Sequence, residues 1–342
     1  MVQLWNGGTD VVSTPVRLPS LQPGEVLVKI RLATVCGSDL HTVAGRRHSP
    51  APGVLGHEAV GDVIAVGGGG ASDVGGQPVS AGDRVVWSVV VSCGECDRCL
   101  AGRSAKCRAV RKIGHEPFDG AWRLSGCYAT HVHLPRGVHL VRIPEHVPDS
   151  VAAPAACATA TVVAAIDRAG GLTGRRVLIS GAGMLGITAT ALAAAEGASD
   201  VVVTDVHPER LSLADEFGAH RTLDVSGAAE GQVMAAGNGR FPGQDSSPAG
   251  GTAAKFDVAL DFSGAADAVE QAFGALDVGG VLVLAGSVAP GREVRLDPER
   301  AVRRWLSVRG VHNYEPCHLA SAVELLARTT DRYPWARLVD EP

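Results

Sequence analysis

Three glycines separate a short apolar run from an Ala-rich run in the middle of the chain, in the stretch VLISGAGMLG. They form the pattern G-x-G-x-x-G at Gly181, Gly183 and Gly186, and a second apolar run, DVVVTD, follows. In a strand–turn–helix unit the first glycine permits a tight turn, the second lets the backbone approach a pyrophosphate, and the third lets the helix pack on the strand. The pattern therefore predicts a dinucleotide-binding α/β domain with a parallel sheet.

The same stretch supplies the other predicted cofactor contacts. Met184 and Leu185 fill the variable positions of the motif, where a helix N-terminus favours phosphate charge. Asp205 ends the second apolar run, where a carboxylate bonds the adenosine ribose hydroxyls and repels a 2′-phosphate. NAD is therefore predicted over NADP, although His207 and Arg210, the latter a predicted cofactor contact, follow closely. A glycine-rich turn in a domain that binds no nucleotide is the alternative.

Length and residue pattern predict two domains and an α/β fold. At 342 residues the chain exceeds one ordinary core. Residues 1–152 hold β-branched runs with dense Gly and Pro, which predicts a β-rich domain. Strand and helix patterns alternate over 153–290, which predicts a doubly wound parallel sheet, and 291–342 hold a last strand and helix. The run DSVAAPAACATATVVAAIDRAG is predicted to be one Ala-rich helix, and the polar run 237–255 an exposed loop.

Charge and apolar content argue against several kinds of partner. The net charge is −5 and aromatic residues make up 4%, which gives no basis for binding nucleic acid. The longest apolar stretch, VAAPAACATATVVAAI, contains Pro and is shorter than the roughly 20 residues of a membrane helix. The first residues lack a basic start followed by an apolar block. We therefore expect a cytoplasmic protein with no nucleic-acid or membrane partner.

Four cysteines are clustered in the stretch CGECDRCLAGRSAKC. Cys93, Cys96, Cys99 and Cys107 have the spacing C-x2-C-x2-C-x7-C, which lets one loop wrap four thiolates around a tetrahedral ion. Because the set leaves no open position, residues 93–107 are predicted to be a lobe with a structural zinc. An iron–sulfur cluster, which uses similar spacing, is the alternative, although the polar lobe offers it little apolar shielding.

The order of the motifs resembles that of a known family. CGSDLH, GHEAVGDV, GDRV, CGECDRC and GAGMLG follow one another as they do in the zinc-dependent alcohol dehydrogenases of the medium-chain dehydrogenase/reductase superfamily, over essentially the whole chain. The resemblance implies a GroES-like catalytic domain, a Rossmann domain, and a C-terminal segment that completes the Rossmann sheet and returns to the first domain. It also implies two Zn²⁺ per chain, NAD, and a homo-oligomer, either a dimer or a tetramer.

The resemblance further implies roles for individual residues. Cys36, His57 and Cys157 are expected to be the protein ligands of a catalytic zinc, with Glu58 as a nearby carboxylate. Two thiolates and one neutral imidazole would leave the fourth position for substrate. Asp39 is expected to hold the imidazole of His57.

A proton relay completes the expected chemistry. Ser38 and His41 match the relay positions of the family. Zinc lowers the pKa of a bound alcohol and polarises a bound carbonyl. The expected reaction is reversible hydride transfer between a small alcohol and an aldehyde or ketone, with NAD as the other reactant.

The substrate is predicted less directly. By the family's layout, Trp87, Val89 and His115 approach the substrate, and Arg46 and Arg47 follow the CGSDLH motif. The stretches HTVAGRR, KIGHE and AAPAACATATV also resemble a subgroup of phosphonate-catabolism-associated alcohol dehydrogenases, which suggests a hydroxyalkylphosphonate or a phosphonoaldehyde. A solvated surface pair is the alternative for the two arginines. The second GHE tripeptide, at 114–116, is predicted to contact substrate and not to bind zinc.

Three rival functions remain. A polyol or amino-alcohol dehydrogenase of the same superfamily would carry the same motifs. A zinc-free quinone-type reductase would share the fold, but it would not need Cys36, His57 and Cys157. A non-catalytic nucleotide-binding relative would have lost relay or ligand residues, and here the motifs retain them.

Overall fold

A computed structural model describes residues 1–120, 122–227 and 255–339. The chain divides into two compact units. The first contains Met1–Ala160 together with the residues from Asn313 on, and the second contains Thr161–His312. The sequence placed these changes near residues 152 and 290. The predicted loop at 237–255 lies outside the described residues, apart from Lys255.

The first unit is built on antiparallel strands. Its strands are β1 (Val2–Gly7), β2 (Asp10–Thr14), β3 (Val26–Thr34), β4 (Gly53–Val54), β5 (Glu58–Val66), β6 (Ala71–Ser72), β7 (Pro78–Val79), β8 (Arg84–Val91), β9 (Arg111–Lys112), β10 (His131–Leu134) and β11 (Val138–Arg142). The main sheet has the order β10-β3-β5-β8-β11, with β9 paired to β8. Smaller sheets have the orders β2-β1-β4 and β6-β7. The β-branched runs of the sequence thus form the predicted β-rich domain.

The core of the first unit lies under the main sheet. β8, with the sequence RVVWSVVV, is buried over almost its whole length. Its Trp87 is 1% exposed and packs in one apolar cluster with residues such as Val28, Ile113 and Leu140. Trp87 was expected to contact substrate, and this stays a prediction for a side chain that packs in the core. Both faces of β8 are covered, so the sequence of the strand could not show which side chains face the core.

Four α-helices begin in the described part of the first unit that precedes the second unit. They are α1 (Gly37–Val43), α2 (Asp97–Leu100) and α3 (Asp149–Ala152), and α4 (Ala158–Ala169) continues into the second unit. The Ala-rich run is not the single helix that we predicted. A 3₁₀ turn, Ala153–Ala156, follows α3, and the chain bends by 53° before α4. Pro154 has no N–H for an α-helical bond, which explains the tighter turn. Cys157 occupies the break.

Apolar helices are few and short. Among the described residues, no single helix has the length and apolar character needed to cross a membrane, and only this bent pair meets both criteria by length and composition.

The second unit is a doubly wound parallel sheet, as predicted. Its elements are β12 (Arg176–Ser180), α5 (Met184–Ala195), β13 (Asp200–Asp205), α6 (Pro208–Glu216), β14 (Arg221–Asp224), β15 (Phe256–Asp261), α7 (Ala266–Ala275), β16 (Leu276–Leu284), α8 (Pro298–Arg304) and β17 (Ser307–Gly310). The strand order is β14-β13-β12-β15-β16-β17, and all five pairings are parallel. This is the Rossmann order, in which ligands bind beyond the carboxyl ends of the strands. The last helix, α9 (Pro316–Thr329), belongs to the first unit.

The three motif glycines form the turn between β12 and α5. Gly181 has φ +94°, a conformation that side chains other than glycine rarely adopt. A Cβ on Gly186 would lie 1.7 Å from the Gly181 carbonyl oxygen, so the helix could not pack on the turn. A Cβ on Gly183 would meet no atom within 4 Å.

Replacing Gly186 should therefore destabilise the second unit. We expect Gly186→Ala to lower its stability by about 1–3 kcal/mol, the usual cost of overpacking. Gly183→Ala is the matched control, because its methyl group meets open space. Thermal unfolding followed by circular dichroism measures both. Equal midpoints for the two variants would contradict this account of the turn.

Candidate active site and metal centre

Four potential metal ligands converge in the first unit. Ligand atoms of Cys36, His57, Glu58 and Cys157 all lie within 4.8 Å of one another, and we call this set the metal group. Cys36 precedes α1, His57 and Glu58 stand at the start of β5, and Cys157 sits at the helix break. The two Sγ atoms are 3.8 Å apart. Two sulfurs bound at about 2.3 Å to a tetrahedral zinc would be about 3.8 Å apart.

The members of the metal group shift one another's pKa values, and His57 and Glu58 are buried. A hydrogen bond with Cys157 lowers the pKa of Cys36 to about 3, although burial acts in the opposite direction. The same bond, together with burial, raises the pKa of Cys157 well above its usual value. Burial, then the charge of Cys36, raises the pKa of Glu58 to about 7. Burial would lower the pKa of His57, but Asp39 and Cys36 raise it to about 10. A divalent cation would replace these protons, because it binds the deprotonated ligands.

Two orphaned atoms test whether the group fits a metal. His57 Nδ1 and Asp39 Oδ1 are buried, face each other at 3.6 Å, and have no hydrogen-bond partner among the residues that the structure describes. A histidine that binds metal through one ring nitrogen almost always donates its other N–H to a carboxylate or a carbonyl. Asp39 stands where that carboxylate is needed, so the residues present fit zinc.

Tyr128 and Thr34 support the metal group, and sequence reasoning missed both. Tyr128 Oη donates to Asp39 Oδ2 at 2.8 Å, and the Cys36 N–H donates to the same oxygen at 3.3 Å. These two bonds leave Asp39 Oδ1 turned to His57. Thr34 Oγ1 donates to Glu58 Oε2 at 2.7 Å. Both contacts join residues far apart in sequence, and no motif marks them.

The two GHE tripeptides of the chain touch each other. A Cβ on Gly114 would lie 2.4 Å from the Gly56 carbonyl oxygen, so the two backbones cross without room for a side chain. The rings of His57 and His115 are 5.1 Å apart between centroids. His115 is therefore a neighbour of the metal group and not a member of it. Burial, followed by His57, lowers its pKa to about 3.

The predicted relay residues share one helix. Ser38 and His41 lie three positions apart in α1, which places both side chains on one face. A hydrogen bond from Ser38 is one of the contacts that lower the pKa of Cys36, so the hydroxyl stands beside the metal group. His41 Nδ1 is buried and has no hydrogen-bond partner among the described residues. The helix therefore offers a hydroxyl beside the proposed metal and an imidazole on the same helix face.

The four cysteines of the lobe also converge. Ligand atoms of Cys93, Cys96, Cys99 and Cys107 lie within 4.8 Å of one another, and the hydrogen-bonded sulfur pairs are 3.4 to 4.0 Å apart. Backbone hydrogen bonds lower the pKa of Cys96 to about 6. The set has the spacing of a closed tetrahedral zinc site. Glu315 accepts from the backbone N–H groups of Ser104 and Ala105, which ties the lobe to the start of α9.

The other predicted substrate contacts occupy different environments. Arg46 is exposed, whereas Arg47 is half-buried. Val89 is 6% exposed, and its N–H donates to Tyr314 Oη at 3.4 Å. The charge of Arg47 contributes to the lowered pKa of His115, so these two side chains lie in one neighbourhood. Arg46 has no comparable contact among the described residues.

The dinucleotide segment has the geometry of its motif. The open space at Gly183 lies at the N-terminus of α5, where Met184 and Leu185 begin the helix. Asp205 ends β13, and its carboxylate accepts from the N–H groups of Ala182, Val206 and His207. A carboxylate has about four acceptor sites, so one remains for a ligand hydroxyl. These features fit a dinucleotide, and Arg210 lies exposed in the first turn of α6.

Comparisons with known proteins match both units. Residues 22–145 match the alcohol dehydrogenase GroES-like domain, and residues 185–328 match the zinc-binding dehydrogenase family. A 5-exo-hydroxycamphor dehydrogenase from Pseudomonas putida is 30% identical over 93% of this chain and 85% of its own length. An L-threonine 3-dehydrogenase from Edwardsiella ictaluri is 33% identical over 88% of this chain and 81% of its own.

Solved structures agree with this likeness. An alcohol dehydrogenase from Thermotoga maritima superposes with a TM-score of 0.85 at 28% identity, covering 96% of this chain and 89% of that one. A structure from Sinorhizobium meliloti, described as a zinc-binding dehydrogenase bound to NADP, has a TM-score of 0.79 at 27% identity and covers 99% of this chain and 89% of its own.

Removing the Tyr128 hydroxyl should weaken one metal site only. We expect Tyr128→Phe to raise the zinc dissociation constant of the metal group by about 10-fold or more, because partners that orient a ligand are commonly worth 10- to 100-fold. Competition with a chromogenic chelator measures this, with the four-cysteine lobe as the internal control. Tyr333→Phe, a tyrosine that packs on Trp335, is the matched control variant. Unchanged zinc affinity in Tyr128→Phe would show that the bond to Asp39 does not position the ligand.

Proposed function

The chain belongs to the zinc-dependent alcohol dehydrogenases of the medium-chain dehydrogenase/reductase superfamily, and we propose that it interconverts an alcohol and its aldehyde or ketone with NAD and two zinc ions. The family acts on CH–OH donors. The observation that carries the proposal is the metal group, in which residues from three separate segments bring two sulfurs, an imidazole and a carboxylate within 4.8 Å. This donor set suits zinc with an open position.

Cys36, His57 and Cys157 would hold the catalytic zinc, and Asp39 would accept the Nδ1–H of His57 and so orient its other ring nitrogen towards the metal. When bound, zinc acts as a Lewis acid towards the substrate oxygen, and the nicotinamide accepts or gives the hydride. Ser38 would take the hydroxyl proton of the alcohol and pass it towards His41. Glu58, held by Thr34, would remain beside the ligands as a carboxylate without replacing one.

The four-cysteine lobe would hold a second, structural zinc. Its donor set has no open position, so it would take no part in catalysis. Its hydrogen bonds to Glu315 would let the bound zinc stabilise the contact with α9.

Two rival functions predict different outcomes. A non-catalytic relative would bind nucleotide without turnover, and a zinc-free reductase would leave the metal group empty.

Zinc analysis of cysteine variants tests these assignments. We expect two zinc ions per chain in the wild type and one in Cys157→Ala. Alcohol oxidation should fall by at least about 100-fold in that variant, because several kcal/mol of Lewis-acid stabilisation are lost. Cys317→Ala is the matched control, since Cys317 is exposed and lies outside both groups. Full activity in Cys157→Ala, or a single zinc in the wild type, would refute this ligand set.

NAD is proposed over NADP because Asp205 would repel a 2′-phosphate. The carboxylate also accepts from three backbone N–H groups of the turn, through both of its oxygens. Asp205→Asn removes the charge and keeps one acceptor oxygen for Val206 and His207, but its NH2 group cannot accept from Ala182. Because that loss affects both cofactors, we expect the ratio of kcat/KM for NADP to that for NAD to rise by about 10-fold, as for one unfavourable charge contact. Asp215→Asn, an exposed residue of α6, is the control. An unchanged ratio would mean that another residue selects the cofactor.

Turnover of a panel of alcohols would identify the substrate of this dehydrogenase. The relatives named above are dehydrogenases of hydroxycamphor and of threonine, and neither name contains a phosphonate. Polyol and amino-alcohol substrates therefore belong in the panel beside phosphonate alcohols. The homo-oligomer and the cytoplasmic location expected from the sequence stay predictions, and light scattering tests the first.

A further inference from the structure

Two cationic side chains, those of Arg47 and Lys112, have no acidic partner among the residues that the structure describes. Arg47 follows α1 and is half-buried, and its backbone N–H donates to the His41 carbonyl oxygen at 3.1 Å. Lys112 ends β9 and is also half-buried. Neither side chain makes an ion pair within the part of the chain that the structure describes. The carboxylate of Glu116 accepts from the backbone N–H of Lys112 at 2.8 Å, and not from its ammonium group.

Positive charge accumulates at this place. Burial lowers the pKa of Lys112, and the charges of Arg47 and Lys106 lower it further. The charged groups that shift the pKa of Lys112 are thus both positive. A partly desolvated cation is costly unless an anion pairs with it. No described residue supplies such an anion, whereas an anionic ligand would.

Lys112 and Arg47 are linked to the metal group through two different segments, the turn that contains His115 and the end of α1. Lys112 and His115 belong to one turn, in which the His115 N–H donates to the Lys112 carbonyl oxygen at 3.2 Å. The His115 ring lies against His57, with 5.1 Å between centroids. Arg47 comes from the end of the helix that carries the relay, and its charge acts on both Lys112 and His115. An anion held by both cations would therefore sit next to the proposed zinc.

We propose that Arg47 and Lys112 bind an anionic group, a carboxylate, phosphate or phosphonate, on the alcohol that this site oxidises. This rests on the proposed function, because it places the substrate hydroxyl at the metal group. A guanidinium offers two parallel N–H donors that match two oxygens of such an anion, and an ammonium adds a compact charge. A neutral alcohol leaves both cations unpaired, so the site selects against it. The competing explanation is that both stems cover apolar surface and extend their charges to water, which gives no preference.

Kinetics with matched alcohols separates the two explanations. The panel contains 2-hydroxyethylphosphonate, 2-hydroxyethyl phosphate, 3-hydroxypropanoate and neutral 1-propanol. We expect the best anionic alcohol to exceed 1-propanol in kcat/KM, and Arg47→Gln and Lys112→Gln each to lower its value by about 10- to 100-fold, as for a charge-assisted hydrogen bond. The value for 1-propanol should change much less. Arg17→Gln, an exposed arginine of the same unit, is the control. Equal losses for the anionic and the neutral alcohol would overturn the proposal.

Binding without turnover separates a failure of this proposal from a failure of the proposed function. Ethylphosphonate, ethyl phosphate and propanoate lack the hydroxyl group, and calorimetry on the zinc-loaded protein measures their Kd. We expect at least one to bind the wild type, with a Kd about 10-fold weaker in each variant, and the preferred anion identifies its chemical class. Equal Kd values in wild type and variants overturn the anion site even in an active dehydrogenase. Absence of turnover with every alcohol overturns the dehydrogenase, while the Kd values still decide on the anion site.

Discussion

The crossing of two glycine backbones is the constraint on which the metal group depends. A Cβ on Gly114 would lie 2.4 Å from the Gly56 carbonyl oxygen, and a Cβ on Gly56 would lie 2.7 Å from the Tyr128 ring. Because neither position has room for a side chain, both GHE segments can approach each other and the ring of Tyr128. The rings of His57 and His115 lie together beside this contact, and Tyr128, which packs on Gly56, bonds the carboxylate of Asp39. The repeated tripeptide therefore has two different uses in one place.

The metal group and the two cations Arg47 and Lys112 carry different kinds of charge. The metal group gathers thiols and a carboxyl in a buried space, where two thiolates would cancel the charge of a zinc ion. Arg47 and Lys112, in contrast, keep positive charges that no described residue neutralises. A neutral metal site would do little to repel or attract an anion. The cations beside it would then decide which substrates enter, and the ligands would decide what happens to them.

Features with short sequence spacing could be predicted, and features with long spacing could not. The four-cysteine lobe and the glycine turn are each contained in one stretch, so their geometry follows from local spacing. Cys157 was predicted as a ligand only through the family resemblance, and the helix pattern around it suggested no break, although Pro154 was a usable signal. Tyr128 reaches Asp39 across 89 residues of sequence and belongs to no motif. The burial of Trp87 depends on a second covered face of β8, which strand periodicity does not reveal.

The same distinction explains why motifs predict the reaction better than the substrate. Metal ligands and relay residues must sit at fixed distances from the reacting atoms, so their spacing and order are restricted and can be recognised in a sequence. A substrate contact needs only the right charge at the right place, and many backbone positions can supply it. Arg47 and Lys112 come from two separate stretches, HTVAGRR and KIGHE, and nothing in either stretch shows that the two charges lie in one neighbourhood. Only the fold shows that a helix end and a short strand bring both charges to the metal group, and it also separates Arg47 from its exposed neighbour Arg46.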